Sequence, residues 1–222
     1  MTTALSPVRI GVDVGGTKIE AIALDGNGVE LARERLLTPR HDYAGTLRVI
    51  GELVGSLETQ LAIKASVGVG MPGAISPNTG LVKNANSTWC IGKPFKSDLS
   101  HLLAREVRVA NDANCFTVSE AVDGAAAGAA VVFGVIIGTG VGGGIALHGQ
   151  ALTGPHAIAG EWGHNPLPWP ATDEWPGLPC YCNKLGCIET WLSGPGFAAD
   201  VKRKTGGTLT SSQILEAAAA GD

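Results

Sequence analysis

The chain has 222 residues, 45% hydrophobic and 16% charged with a net charge of −4, which is ample for one large domain or two small ones and argues against global disorder. No basic block supports nucleic-acid binding, the opening MTTALSPVRI lacks a secretory signal's basic start and long apolar stretch, and no run of about 18 apolar residues suggests a membrane span, so a cytoplasmic location is expected. Five cysteines, three of them inside CYCNKLGC, argue in a reducing compartment for a metal or reactive thiols over a disulfide framework.

RIGVDVGG, residues 9–16, reads as a buried strand meeting a tight turn, IEAIAL as a second strand, and VELARERLL after the DGNG turn as a third. Together they predict an antiparallel meander whose first turn is GGTK. Residues 42–62 place Leu47, Ile50, Leu53, Val54, Leu57 and Leu61 at helical spacing behind Asp42 as cap. SVGVGMPGAIS returns to a strand and a Gly/Pro turn. A second helix is expected from about Ser97 to Arg105, a strand at VRVA, and a third helix from about Ala113 to Ala127. This alternation is an α/β pattern. VVFGVIIGTGVGGGIALHG, residues 131–149, then repeats the opening form of strand, glycine turn and strand. The repetition suggests two α/β halves, 1–110 and 111–222, with the glycine turns facing a cleft between them. Further on, SGPGFAADVKRKTGG and TSSQILEAAAAGD read as helices, the latter with a Thr210–Gln213 capping box.

DVGGTK suits either an ordinary hairpin or a nucleotide site. Thr17 offers a hydroxyl, Lys18 a cation, Asp13 a carboxylate able to hold Mg²⁺ through water, and Gly15 and Gly16 let backbone N–H groups approach phosphate oxygens. GTGVGGG, residues 138–144, could cradle phosphates in the same way. Neither is a Walker loop or a dinucleotide fingerprint, because each turn leads into a strand. In ANDAN, residues 110–114, Asp112 falls at the carboxyl end of a strand, where α/β folds put ligands. Either Asn111 or Asp112 merely caps the following helix, or Asp112 accepts the proton of an alcohol attacking the γ-phosphate of ATP. A carboxylate of ordinary pKa, about 4, can accept that proton only late in the transfer.

His164, Cys180, Cys182 and Cys187 follow the spacing H-x15-C-x-C-x4-C. Three thiolates and an imidazole form a closed tetrahedral set for Zn²⁺, and the pattern is not the C-x-x-C of a redox motif. Such a zinc would be structural. It would pin both ends of NPLPWPATDEWPGLP, residues 165–179, and leave the second ring nitrogen of His164 to face another partner. The exposed tryptophans of that loop could instead form a protein-binding patch. Asn183 tolerates a left-handed turn, and Cys90 and Cys115 read as small apolar fillers.

In order, DVGGTK, GMPG, KNANSTW, ANDAN, GTGVGGG, GEWGHNPLPW and CYCNKLGCIE resemble the ROK family of bacterial sugar kinases, within the actin and hexokinase-like ATPase superfamily, over residues 9 to 197. KNANSTW and GEWGHNPLPW are most similar to its fructokinase or mannokinase branch. The resemblance implies a two-domain actin/hexokinase-like α/β fold, ATP and Mg²⁺, and phosphorylation of a hexose hydroxyl, with fructose to fructose 6-phosphate as first expectation. It assigns Asp112 as catalytic base. It assigns Gly11, Val12, Asp13, Val14, Gly15, Gly16, Thr17 and Lys18, with Gly138, Thr139, Gly140, Val141, Gly142, Gly143 and Gly144, to the two phosphate segments. Sugar-binding candidates are Asn84, Asn86, Asn111, Asp112, Glu161, His164 and Glu189, although NANST also suits a polar turn. The family's zinc site has the His164, Cys180, Cys182 and Cys187 pattern, usually with glycine where Asn183 stands. Its members often form homodimers and typically continue for several dozen further residues, so the second domain is expected to be incomplete. A catalytically inactive sugar-binding or regulatory fragment is the alternative. A DNA-binding regulator is disfavoured, because only about eight residues precede the first strand.

Overall fold

The structure, a computed structural model, describes residues 8–221. MTTALSP, read above for targeting signals, lies outside the described residues. Contact density divides the chain into one compact unit of Met1–Cys115 with Gly154–Ile158 and another of Phe116–Thr153 with Ala159–Asp222.

In the first unit β1 (Arg9–Val14), β2 (Lys18–Leu24) and β3 (Glu30–Leu37) form the expected antiparallel meander. Helix α1 (Tyr43–Leu61) leads to β4 (Ser66–Met71), which lies parallel to β1. Asp42 caps α1 by accepting from the Gly45 amide at 2.8 Å. All six residues of the expected helical stripe belong to the core or pack against it. The short pair β5 (Ala74–Ile75) and β6 (Val82–Lys83) and helix α2 (Phe95–Leu102) precede β7 (Val107–Asn111), which pairs parallel with β4. The sheet order is therefore β3-β2-β1-β4-β7. Alternation buries Ile10, Val12, Val14, Val67, Val69 and Met71 on the core side and leaves Gly11, Asp13, Gly68 and Gly70 on the other.

Register fixes what meets at one end of this sheet. Asp13 pairs with Gly70 and Met71 with Asn111, so the three parallel strands finish together at the GGTK turn, the MPG turn and the start of α3 (Asp112–Val122). Helix α3 ends at Val122, short of Ala127. The Ser119 carbonyl takes the amides of both Asp123 and Gly124, and the Glu120 carboxylate takes that of Ala125 at 2.8 Å, turning the alanine-rich segment away from the helix.

In the second unit β8 (Val131–Ile137), β9 (Val141–Leu147) and β10 (Gln150–Ala151) form an antiparallel sheet of order β10-β9-β8. Among the described residues no strand pairs with the outer edge of β8, where Val131, Phe133, Val135 and Ile137 are exposed. Three helices follow: α4 (Glu189–Leu192), α5 (Gly194–Thr205) capped by Ser193, and α6 (Ser211–Ala220) with the expected Thr210–Gln213 capping box. Among the described residues no helix is long and apolar enough to cross a membrane.

Candidate functional site

The GGTK turn is narrower as a donor set than its glycines suggest. Gly11 to Val14 lie in β1, where their backbone joins the ladders to β2 and β4, and Lys18 opens β2. The Gly15 amide, expected to be free, donates to the Lys18 carbonyl at 2.9 Å. Thr38, which nothing in its local pattern marks, clamps the turn: its hydroxyl donates to the Gly15 carbonyl at 2.7 Å and its amide to the Thr17 carbonyl at 3.0 Å. The amides of Gly16 and Thr17 remain as donors among the described residues, with the Thr17 and Lys18 side chains exposed beside them.

At the neighbouring strand end the two readings of ANDAN separate. Asn111 is the cap: its side-chain oxygen accepts from the Asn114 amide at 3.0 Å, and its nitrogen donates to the Gly73 carbonyl at 3.0 Å. Gly73 sits at φ +78, and a Cβ there would run into the Lys83 carbonyl and lie 2.8 Å from the Ala85 nitrogen. The close approach sets Ala85 of NANST against Gly73, whose carbonyl Asn111 holds. Asn84, in the left-handed region at φ 55, and Asn86 flank that contact and are exposed.

Asp112 is half-buried, with Oδ1 accepting from the Ala113 amide at 2.8 Å. Burial raises its pKa above the ordinary carboxylate value despite that bond. Partial loss of water raises the pKa of Asp13 too, and the nearby charges of Asp112 and Glu20 add to it. Cys115, read as a filler, is exposed on α3. Burial of its sulfur comes first in raising its thiol pKa, with the two aspartates adding to it.

In the second unit Gly138, Thr139 and Gly140 form the turn, whereas Val141 to Gly144 lie in β9 and pair with β8. Gly138 donates to the Gly140 carbonyl at 2.9 Å, and its own carbonyl accepts from Gly194 at 2.8 Å. Glu189, in the first turn of α4, accepts the Val141 amide through Oε2 at 2.9 Å. This leaves the Thr139 and Gly140 amides as the turn's donors among the described residues.

Glu161 precedes a 3₁₀ turn, Trp162–His164, held to β9 by the Trp162 indole donating to the Gly142 carbonyl at 2.7 Å. Gly163 lies so close to β9 that a Cβ there would overlap the Val141 carbonyl. His164 meets the cysteines: its Nδ1 is 3.5 Å from Cys180 Sγ, and Cys182 Sγ is 3.5 Å from Cys187 Sγ. The four ligand atoms lie within 4.8 Å of one another and could hold a metal ion. Burial, then the neighbouring sulfurs, pushes the Cys187 thiol up to about 12, as expected for a cluster whose thiolates need a cation. Asn183 takes the left-handed conformation at φ 67. The second ring nitrogen of His164 does not stand open: Nε2 is 3.0 Å from the hydroxyl of Tyr181, the intervening residue of C-Y-C.

The whole stretch of residues 9–222 matches the description "ROK family". The chain belongs to the ROK family. It is 41% identical over 216 residues to a protein named N-acetyl-D-glucosamine kinase from Yersinia pestis bv. Antiqua, covering 96% of this chain and 84% of that one. A protein of the same name from Yersinia pseudotuberculosis is 41% identical over 216 residues, with 71% of its length covered. Among solved structures, the ROK hexokinase from Thermus thermophilus superposes with a TM-score of 0.81 at 27% identity, covering 97% of this chain and 70% of that one. The ROK glucokinase from Streptomyces griseus, in complex with glucose and AMPPNP, gives 0.75 at 28% identity, covering 97% and 72%. Family and relatives together support a ROK sugar kinase with the mixed α/β hexokinase-like fold.

Proposed function

We propose that this ROK chain transfers the γ-phosphoryl group of ATP to the C6 hydroxyl of N-acetyl-D-glucosamine, with Asp112 as the base. The observation that carries the reading is the division of labour in ANDAN, where Asn111 takes the capping role and Asp112 keeps a half-buried carboxylate of raised pKa at a strand end. A raised pKa suits a late proton acceptor, because it brings the carboxylate nearer to holding the proton as the alcohol bonds to phosphorus. The Gly16, Thr17, Thr139 and Gly140 amides and the Lys18 ammonium serve the phosphates. The remaining residues of the two segments, Gly11 to Val14 and Val141 to Gly144, hold these turns on their strands.

The carboxylates Asp13 and Asp112 suit a divalent cation, since burial raises the pKa of each and neither has a cationic partner among the described contacts. Mg²⁺ would supply charge neutralisation on the phosphates. Zinc fits the Cys3His cluster: with Zn–S near 2.3 Å and Zn–N near 2.0 Å, tetrahedral ligands stand about 3.5–3.8 Å apart. The Nδ1–Sγ and Sγ–Sγ distances of 3.5 Å match those edges. Its role is structural, joining the two ends of the 165–179 loop beside Glu161 and Glu189, which with Asn84 and Asn86 are the sugar-facing candidates, whereas both ring nitrogens of His164 are engaged, by the cluster and by Tyr181.

N-acetyl-D-glucosamine takes the place of fructose as first substrate because the relatives at 41% identity are named for it. A coupled assay for ADP release tests both activity and choice. N-acetyl-D-glucosamine is expected to give the highest kcat/KM among it, glucose, mannose and fructose. Sugar binding without ADP release, by the folded and zinc-loaded chain, would replace the kinase reading with that of an inactive sugar binder.

A further inference from the structure

Thr38 lies one residue past the end of β3, is 7% exposed, and directs two donors at the GGTK turn. Lys18 and Leu37 pair at the end of the β2–β3 ladder, which brings Thr38 level with Thr17. Its amide donates to the Thr17 carbonyl at 3.0 Å, and its hydroxyl donates to the Gly15 carbonyl at 2.7 Å. Pro39 follows and favours an extended backbone at Thr38. The Pro39 carbonyl in turn accepts at 3.2 Å from the amide of Asp42, the cap of α1. Thr38 is therefore held from the helix side as well as from the sheet.

A trans peptide is planar, with its C=O and N–H pointing in opposite directions. The Gly15 carbonyl and the Gly16 amide share one such plane, so a hydroxyl that holds the carbonyl on the Thr38 side turns the amide to the other side. Gly16 is exposed, and a Cβ added there would meet nothing within 4 Å. Two successive glycines do little by themselves to stop that plane from rotating. A flip would put a carbonyl oxygen where the donor had been, and a carbonyl oxygen repels a phosphate. The Thr17 carbonyl, held by the Thr38 amide, pins the plane that leads into Lys18. The peptide carrying the Thr17 amide thus lies between two pinned neighbours, and the bond from the Gly15 amide to the Lys18 carbonyl at 2.9 Å closes the turn from within.

We infer that Thr38 is a positioning residue that keeps the Gly16 and Thr17 amides turned toward a bound phosphate by holding the Gly15 and Thr17 carbonyls away from it. Thr38 touches no phosphate itself. It acts through the peptide planes of the turn. Any residue except proline could supply the amide, so what threonine adds at this position is a short hydroxyl donor for the Gly15 carbonyl.

The inference rests on the reading of GGTK as a phosphate turn, and the test separates the two. MgATP is titrated into the ¹⁵N-labelled full chain and into its Thr38→Val, Thr38→Ala and Thr38→Ser variants, and affinity is read from the amide shifts, those of Gly16 and Thr17 included. Valine keeps the branched shape and alanine does not, so a chain without the hydroxyl is at hand even where one of the two fails to fold. Serine keeps the hydroxyl and drops the methyl group. Loss of the hydroxyl should weaken MgATP binding about 3- to 10-fold, the size of one hydrogen bond, and leave the affinity for N-acetyl-D-glucosamine within about twofold. The serine variant should bind MgATP within about twofold of wild type. Unchanged MgATP binding without the hydroxyl, a serine variant as weak as valine or alanine, or an equal loss of sugar affinity would overturn the inference alone. Wild-type Gly16 and Thr17 amides that do not shift with MgATP would remove the phosphate reading of the turn and this inference with it.

Discussion

Asp112→Asn separates chemistry from stability at a single atom. The amide cannot accept the hydroxyl proton, and loss of a general base costs about 10²- to 10⁴-fold in rate, or about 2.7–5.5 kcal/mol of barrier. The effect on folding has the opposite sign. Asp13 and Asp112 are two strand spacings and about two residues apart across β1, β4 and β7, roughly 11 Å. At effective dielectric constants of 20 to 80, their repulsion is about 0.4–1.5 kcal/mol. The Asp112 carboxylate recovers about 0.3–1 kcal/mol from the N-terminus of α3. Because its pKa is raised even with the Ala113 amide bond included, burial outweighs the helix end. The neutral variant should therefore melt about 1–4 °C higher at pH 7. A carboxyl whose folded pKa is raised stabilises the fold fully below its unfolded value, about 3.9, and that contribution is lost as pH rises through the folded value. The variant's advantage should accordingly fade as pH falls through that window, and the acid limb of wild-type kcat/KM should lie above the ordinary carboxylate range. Turnover within tenfold of wild type would remove Asp112 as the base. A lower melting temperature at pH 7 would show that the helix end dominates.

Glu58 and Arg105 form a largely buried pair, with Oε1–Nη1 at 2.5 Å and Oε2–Nη2 at 3.0 Å, and Arg105 also donates to the Ala65 carbonyl. Glu58→Ala should cost about 3–5 kcal/mol in a denaturant titration. Burial opposes ionisation of Glu58, but Arg105 and the Ala65 amide outweigh it and lower its pKa, so this stabilisation is full above its unfolded value of about 4.3 and is lost as pH falls through the folded value. Stripping the cluster with a chelator should release one zinc per chain and open residues 165–179 to limited proteolysis; a cleavage pattern unchanged by metal would show that the loop holds its shape without zinc. Gly163→Ala should cost roughly 1–3 kcal/mol and raise the KM for sugar, because the new Cβ meets backbone, not a movable side chain, and shifts the turn that carries His164.

The strand meander, the α1 stripe and the Thr210–Gln213 capping box were legible in the sequence because each rests on a local rule: alternation, helical spacing, or one side chain reaching one amide. The end of α3 was not. Alanine favours a helix, and nothing in DGAAAGAA announces that Ser119 and Glu120 redirect the following amides. The cysteine cluster was legible as a ligand set, since three thiols and an imidazole state their chemistry by type. Tyr181 was not, because the middle position of C-x-C reads as a spacer until folding shows which way the phenol turns. Glycine content overstated both phosphate segments. Strand pairing takes Gly11 to Val14 and Val141 to Gly144, and turn bonds take Gly15 and Gly138, so a long glycine motif leaves few free amides.

The adjacency in ANDAN explains why a polar strand end can be both cap and base. A helix start needs a side-chain acceptor for its orphan amides, and a carboxylate so used is held ionised with its lone pairs engaged. Asp112 already gives Oδ1 to the Ala113 amide, so a further capping bond would lower its pKa and weaken it as a proton acceptor. Asn111 satisfies the Asn114 amide while its nitrogen is spent on Gly73, a geometry an aspartate could not supply because it has no donor for the Gly73 carbonyl. The asparagine therefore has to precede the aspartate. Exchanging them, as Asn111→Asp with Asp112→Asn, would leave cap and charge present but place the carboxylate on the amide and face one carbonyl with another. Such an exchange should lose as much turnover as Asp112→Asn alone, whereas recovered activity would show that the charge near this strand end matters more than its position.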